Sequence, residues 1–121
     1  MKCLLVDDNK EITHVISTFF KAKNHSCRVI NEGKAALQVI KNEDFDLILL
    51  DLAMPDFSGH DIIDELDASN MLRSKNIIVI TASQSNDLKH KKILGQGVKD
   101  IIYKPISLEK LKNLVNTFNP Q

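Results

Sequence analysis

Residues 45–59, FDLILLDLAMPDFSG, restrict the fold more than any other part of this sequence. Five of the six residues before Asp51 are apolar, and an apolar run of this length between turn residues is typical of a strand buried on both faces. We therefore predict a central strand over residues 45–50. The carboxylate of Asp51 should lie where this strand leaves the core, at the mouth of a loop that contains a Pro-Asp turn and a glycine.

Four other polar side chains come at the ends of apolar runs: Asp7, Asp8, Thr81 and Lys104. Apolar runs alternate with amphipathic segments, which predicts strands over residues 2–6, 26–30, 45–50, 77–81 and 98–103 and helices that begin near residues 9, 33, 59, 85 and 107. This alternation is typical of a three-layer α/β fold, a doubly wound parallel sheet with helices on both faces. Because right-handed crossovers bring the carboxyl ends of the strands to one edge, these polar groups should meet there.

The predicted helices differ in how well their apolar faces are defined. The inner faces of the first and last helices comprise Ile12, Val15, Ile16, Phe19 and Phe20, and Leu108, Leu111, Leu114, Val115 and Phe118. The fourth helix, over residues 85–94, has almost no apolar residues besides Leu88, Ile93 and Leu94. We expect this helix to be the element that is most easily repositioned.

Charge and cysteine content exclude several classes of function. The net formal charge is zero, so nothing global favours nucleic acid or an anionic membrane. No apolar run approaches the length that spans a bilayer, and residues 1–2 lead directly into the first strand without a secretory leader. Cys3 and Cys27 lack CxxC spacing, which indicates reduced thiols in a cytoplasmic protein. The histidines are isolated from one another, which argues against a transition-metal site.

The polar edge suits one kind of chemistry. Asp7, Asp8 and Asp51 repel one another and need a cation to stay ionised together, and oxygen ligands without histidine or cysteine favour Mg²⁺. A hydroxyl from Thr81 and an ammonium from Lys104 suit a phosphoryl group. Asp51, held on the central strand, is the best candidate for a nucleophile that forms an aspartyl phosphate.

The combination of Asp7-Asp8, the segment LLDLAMPDFSG around Asp51, Ile80-Thr81-Ala82 and Tyr103-Lys104-Pro105 resembles the receiver domain of two-component response regulators. The similarity covers essentially the whole chain and is greatest to single-domain, chemotaxis-regulator-like receivers. It implies a flavodoxin-like (βα)5 fold with strand order 2-1-3-4-5, and residues 1–121 as a single receiver domain without an effector domain.

The resemblance also implies a role for each residue of the polar edge. Asp51 would accept a phosphoryl group from a sensor histidine kinase or a histidine phosphotransfer protein. Mg²⁺ would be bound by Asp8 and Asp51, by the backbone carbonyl of Ala53, and by Asp7 through water. Lys104 would pair with the phosphoryl oxygens, and Thr81 would move toward them. The bond between Lys104 and the following proline would be cis.

Two features depart from the family pattern. The switch aromatic usually lies three residues before the lysine, where this chain has Ile101. Tyr103 is not at that position. Ala53 and Ser83, two residues after Asp51 and Thr81, are small, so we expect open access for a hydrolytic water.

Three other functions are less well supported by the residues. A phosphohydrolase of the haloacid dehalogenase type would carry Asp-x-Asp, whereas Asp51 is followed by Leu52-Ala53. A nucleotide-binding module would carry a glycine-rich phosphate loop, and neither usual motif occurs. A pseudo-receiver, which binds partners without phosphorylation, would have lost one of the five edge residues.

We expect output by protein docking, without direct contact to nucleic acid and without membrane insertion. The predicted output face comprises the fourth helix, fifth strand and fifth helix. Its basic residues on the fourth helix, called here the α4 lysines, are Lys89, Lys91 and Lys92.

Overall fold

Strands and helices alternate along the chain in the computed structural model, which describes residues 1–82 and 87–120. The strands are β1 (Lys2–Val6), β2 (Ser26–Ile30), β3 (Leu47–Asp51), β4 (Ile77–Thr81) and β5 (Asp100–Tyr103). The helices are α1 (Lys10–Ala22), α2 (Gly33–Asn42), α3 (Gly59–Ala68), α4 (Asp87–Gln96) and α5 (Leu108–Phe118), and a 3-10 turn covers Leu72–Ser74.

The strands of the described residues form one five-stranded parallel sheet in the order β2-β1-β3-β4-β5. The predicted flavodoxin-like fold, a doubly wound three-layer α/β sheet with order 2-1-3-4-5, is confirmed. The chain moves outward from β1 to β2 and then returns to the other side of β1 to form β3, so the direction of winding reverses between these two strands. In open parallel sheets this switch point is where a crevice forms at the carboxyl ends of the strands.

The central strands are buried on both faces, as the apolar run before Asp51 predicts. Every residue of β3 and of β4 is buried. One face of the sheet packs on α2, α3 and α4, and the other packs on α1 and α5 through residues such as Ile16, Phe20 and Leu111. Burying a side chain of this kind contributes roughly 1.5–3 kcal/mol, so β3 and β4, which end in Asp51 and Thr81, are firmly held.

Some predicted boundaries differ from the structure. β3 begins at Leu47 because Asp46 binds the start of β1, where its carboxylate accepts a hydrogen bond from the backbone N–H of Lys2 at 2.6 Å. β5 begins at Asp100, since the N–H of Val98 donates to the carbonyl of Ile93 and closes the end of α4. α4 continues to Gln96, and its predicted start at residue 85 lies outside the described residues.

Two apolar residues predicted on inner faces lie outside the core. Val15 on α1 and Leu108 at the start of α5 are both 62% exposed. On α1 the buried positions include Thr13 and Ser17, whose hydroxyls donate to backbone carbonyls of the preceding turn and are thereby satisfied. The helix can therefore turn these small polar residues inward and leave Val15 at the surface.

Among the described residues, no helix combines the length and the apolar character needed to cross a membrane.

Candidate functional site

The polar residues predicted at the sheet edge lie together in the structure. Asp51 and Thr81 are the last residues of β3 and β4, while Asp7 and Lys104 directly follow β1 and β5. Because all strand pairs are parallel, these ends share one edge. Asp7 and Asp51 lie at the carboxyl ends of the two strands that flank the switch point.

Three carboxylates form a compact cluster at this edge. Asp7, Asp8 and Asp51 each offer an oxygen, and these oxygens all lie within 4.8 Å of one another. The side chains of Asp7 and Asp51 are buried, whereas Asp8 is exposed. The cluster is therefore anchored in the core and open to solvent on one side, an arrangement that leaves coordination positions for the waters that Mg²⁺ retains.

Asp7 has one oxygen that the protein does not satisfy with a well-directed hydrogen bond. Its Oδ1 accepts from the N–H of Asn9 at 2.9 Å, but its buried Oδ2 has no hydrogen-bond partner among the described residues. The ammonium of Lys104 lies 3.0 Å from that oxygen as an ion pair. A buried, incompletely satisfied carboxylate oxygen in an acidic cluster is what a bound cation and its waters would satisfy, so the donor set fits Mg²⁺.

Lys104 joins two of the carboxylates. Its ammonium lies 3.0 Å from Asp7 and 3.5 Å from Asp51, and only 17% of its side chain is exposed. The bond from Lys104 to Pro105 is cis, as the family resemblance implies, and the backbone N–H of Lys104 donates to the carbonyl of Thr81. The ammonium is thus directed into the site by the end of β5.

Burial and neighbouring charge make Asp51 a less acidic carboxyl than usual. Desolvation, and then the negative charge of Asp7, raise its pKa from 3.8 to about 6. Lys104 and the N–H of Ala53, which donates to Asp51 Oδ1 at 3.3 Å, act in the opposite direction. The site concentrates more negative charge than one lysine balances, and a divalent cation would relieve that excess.

A glycine that the sequence pattern marks only as the start of a helix also shapes the site. A Cβ on Gly59 would collide with the backbone carbonyl of Asp51 and the Cα of Leu52, and the N–H of Gly59 donates to the Leu52 carbonyl at 3.1 Å. The start of α3 therefore packs directly on the backbone that carries Asp51.

Sequence reasoning also missed Asn9 as the donor to Asp7. The position of Asn9, directly after the Asp7-Asp8 pair, was a signal that could have found it.

The remaining predicted residues lie at or near this edge. Thr81 is buried at the end of β4. Ala53 is exposed beside Asp51, and Ser83 lies outside the described residues. Ile101 is half-buried and packs against the core beneath α2, α3 and α4. The α4 lysines are all exposed.

A groove adjoins the site on the side of α1. Its volume is about 470 Å³, and its lining is Glu11, Ile12, Val15, Ile16, Lys104, Pro105 and Ile106. The exposed Val15 contributes apolar surface to this groove, and Lys104 forms its boundary with the carboxylates. The groove thus presents apolar surface next to Lys104, whose ammonium is 3.5 Å from Asp51.

The fold and the acidic edge together define a receiver of two-component signalling. The family model described as the response regulator receiver domain matches residues 3–116. The chain belongs to this family.

Individual relatives support the same assignment. The chain is 31% identical to the signal transduction histidine-protein kinase BarA of Shigella flexneri over 99% of its own length, but it spans only 13% of that protein. It is 30% identical to the probable methanogenesis regulatory protein FilR2 of Methanothrix harundinacea, with 93% of this chain and 77% of the relative covered. The receiver domain of Francisella response regulator 1452 superposes with a TM-score of 0.84 at 30% identity, covering 97% of this chain and 94% of that one.

Proposed function

We propose that Asp51 is the phosphoacceptor of a two-component phosphorelay and that residues 1–121 act as one receiver domain. A carboxylate oxygen of Asp51 attacks the phosphorus of a phosphohistidine, the phosphorus–nitrogen bond breaks, and the donor imidazole leaves. The observation that carries this proposal is the position of Asp51, buried at the switch point between the carboxylate of Asp7 and the ammonium of Lys104.

The acidic cluster would hold Mg²⁺. Asp8 and Asp51 would bind it through their side chains, Ala53 through its backbone carbonyl, and Asp7 through a water. When bound, the ion would neutralise charge on the transferred phosphoryl group. The exposed position of Asp8 beside two buried carboxylates supports an open site of this kind.

Lys104 and Thr81 would receive the phosphoryl oxygens. The ammonium of Lys104 is already 3.5 Å from Oδ1 of Asp51, so it can pair with a phosphoryl group on this carboxylate with little movement. Thr81 brings a hydroxyl from the neighbouring strand. The bound Mg²⁺, the ammonium of Lys104 and the hydroxyl of Thr81 would then surround the carboxylate nucleophile. Phosphoryl transfer requires such a set of groups.

The donor would be a sensor histidine kinase or a histidine phosphotransfer protein that docks in the groove beside α1. A phosphohistidine must come within bonding distance of Asp51, and the groove ends at Lys104 and Pro105, next to the acceptor. The exposed Val15 offers an apolar contact to a partner helix. We expect this exchange to take place in the cytoplasm, where the free thiols of Cys3 and Cys27 remain reduced.

The signal would leave through the surface of α4, β5 and α5. Phosphorylation replaces the single negative charge of the Asp51 carboxylate with about two on the phosphoryl group. The added charge attracts the ammonium of Lys104, which directly follows β5. The exposed α4 lysines give this surface a positive charge that suits an acidic partner protein.

Incubation with Mg²⁺ and acetyl phosphate tests the proposal. We expect intact-mass measurement to show one added phosphoryl group, lost in Asp51→Asn and retained in Asp56→Asn, since Asp56 is an exposed turn residue. Steady release of phosphate without an adduct would instead indicate a phosphohydrolase, and no reaction would indicate a pseudo-receiver. Labelling that persists in Asp51→Asn, or that does not need Mg²⁺, would contradict the proposal.

A further inference from the structure

A hydrogen bond connects α4 to the end of β5. The Nδ1 atom of His90 and the hydroxyl of Tyr103 are 3.0 Å apart, and the two rings are tilted by 45° with centroids separated by 5.7 Å. His90 is only 6% exposed although three lysines surround it in the sequence. A buried imidazole that bonds a phenol across two elements is a specific contact and not an incidental one.

This contact is one of the few buried contacts between α4 and the sheet. Among the described side chains of α4, only His90 and Ile93 are buried. Leu88 is 81% exposed and Leu94 is 42% exposed, so the other apolar residues of the helix contribute little packing. One of the two buried contacts of α4 is therefore polar and depends on the position of Tyr103.

Tyr103 is also tied to the functional site. It pairs with Thr81 in the β4–β5 register and directly precedes Lys104. The backbone N–H of Lys104 donates to the Thr81 carbonyl at 2.9 Å, which couples the ends of the two strands. A shift of the coupled ends of β4 and β5 toward an anion on Asp51 would therefore move Tyr103 relative to His90.

We infer that the hydrogen bond between Tyr103 and His90 transmits occupancy of Asp51 to α4. Ile101, at the position where the family usually has an aromatic, has no polar side-chain atom to offer, whereas the hydroxyl of Tyr103 directly contacts the helix. The inference rests on the proposed function, because the signal it transmits is phosphorylation of Asp51. It assigns the switch role to a residue pair that the family pattern does not mark.

Nuclear magnetic resonance with beryllofluoride and Mg²⁺ as the phosphoryl mimic tests this inference. In the unaltered protein we expect the backbone amides of Leu52 and Ala53 to shift, which reports binding, and the amides of residues 91–96 to shift, which reports the response of α4. In Tyr103→Phe, which keeps the ring, the affinity for beryllofluoride should stay within about threefold of that of the unaltered protein. The shifts of the α4 amides should fall by at least about half. Hydrogen exchange of the α4 amides in the free Tyr103→Phe variant should become about fivefold faster, because the helix has lost one hydrogen bond that opposes its local opening.

Further variants separate transmission from loosening of the helix. His90→Leu should reproduce Tyr103→Phe, and the double variant should show no additional loss, because both remove the same bond. His90→Asn, which can place an oxygen near the Nδ1 position, should restore part of the α4 response. Thr117→Val removes a hydroxyl on α5 that, among the described residues, donates to the carbonyl of Asn113 in its own helix. It should leave both sets of shifts unchanged.

Tyrosine emission provides a second readout. Tyr103 is the single tyrosine of a chain without tryptophan, so a change of emission on beryllofluoride binding reports on this contact. If Leu52 and Ala53 respond in every variant and the α4 shifts of Tyr103→Phe and His90→Leu match the unaltered protein, the inference is overturned while the proposed function stands. If the unaltered protein shows no response at Leu52 and Ala53, the proposed function fails and the inference with it.

Discussion

The substitution Asp51→Asn should stabilise the metal-free protein at neutral pH. It removes one of three clustered carboxylate charges and keeps the shape of the side chain. The amide oxygen of the introduced asparagine would still accept the hydrogen bond from Ala53, and Lys104 would keep its closer partner, Asp7, at 3.0 Å. The substitution therefore removes the repulsion without leaving the lysine unpaired.

The magnitude follows from the raised pKa of Asp51. Because its pKa is about 6 in the folded protein and 3.8 in the unfolded chain, the folded state retains a proton between these values that the unfolded state has lost. The contribution of the Asp51 carboxyl to the free energy of unfolding thus falls as the pH rises from about 4 to about 6, and it stays low above pH 6. The pKa difference corresponds to about 3 kcal/mol. Since the cleft is open to water at Asp8, screening reduces this to about 2 kcal/mol.

Urea denaturation in the presence of a chelator measures this effect. At pH 7.5 Asp51→Asn should raise the free energy of unfolding by about 2 kcal/mol, and the gain should vanish below about pH 4. Saturating Mg²⁺ should reduce or reverse the difference, because binding to the unaltered protein stabilises it. Asp56→Asn is the matched control: Asp56 is exposed and its φ of 66° suits asparagine equally well. A gain that is absent at pH 7.5, or that does not change with pH, would refute the electrostatic reasoning.

Three other predictions follow from the structure. Gly59→Ala should lower the free energy of unfolding by about 1–3 kcal/mol, because its Cβ meets the backbone of Asp51; Gly95→Ala, which meets open space, should not lower it in the same urea titration. Ala53→Asn should lengthen the lifetime of the aspartyl phosphate by limiting access of water, and an unchanged decay rate of the labelled protein would contradict this. Replacing the α4 lysines by Glu should weaken capture of an acidic partner by the beryllofluoride-bound protein at least about tenfold, while labelling by acetyl phosphate stays unchanged; loss of labelling would instead place the donor on that face.

The sequence was sufficient to predict the fold because the strands that carry it are buried on both faces. An apolar run such as the one before Asp51 has few other interpretations, and the strand–helix alternation then determines which ends meet. The acidic cluster and the position of Lys104 followed from that topology. Periodicity was less reliable for helix faces: on α1 it marks Val15 as readily as Thr13, and only the satisfied hydroxyls of Thr13 and Ser17 decide which side turns inward.

The packing of α4 could be predicted only in part. Its lack of apolar anchors was evident from the sequence, and the exposure of Leu88 agrees with it. The burial of His90 was not evident from the sequence, because a histidine among lysines is normally solvated. Its partner, Tyr103, is thirteen residues away on another element. Tertiary polar contacts of this kind have no periodicity for a sequence pattern to reveal.

The two sides of the site differ in how firmly they are held, and this difference bears on how the site could signal. Asp7 and Asp51 belong to the ends of β1 and β3, whose apolar side chains are almost fully buried, so the acceptor and its cation would keep their positions. β5 lies at the edge of the sheet, and only its Ile102 is buried. Negative charge added at Asp51 therefore lies between β1 and β3, which are firmly packed, and Lys104, which follows the less buried β5. Movement should follow the weaker side, from Lys104 through Tyr103 to His90, which is where the helix with the fewest apolar contacts lies.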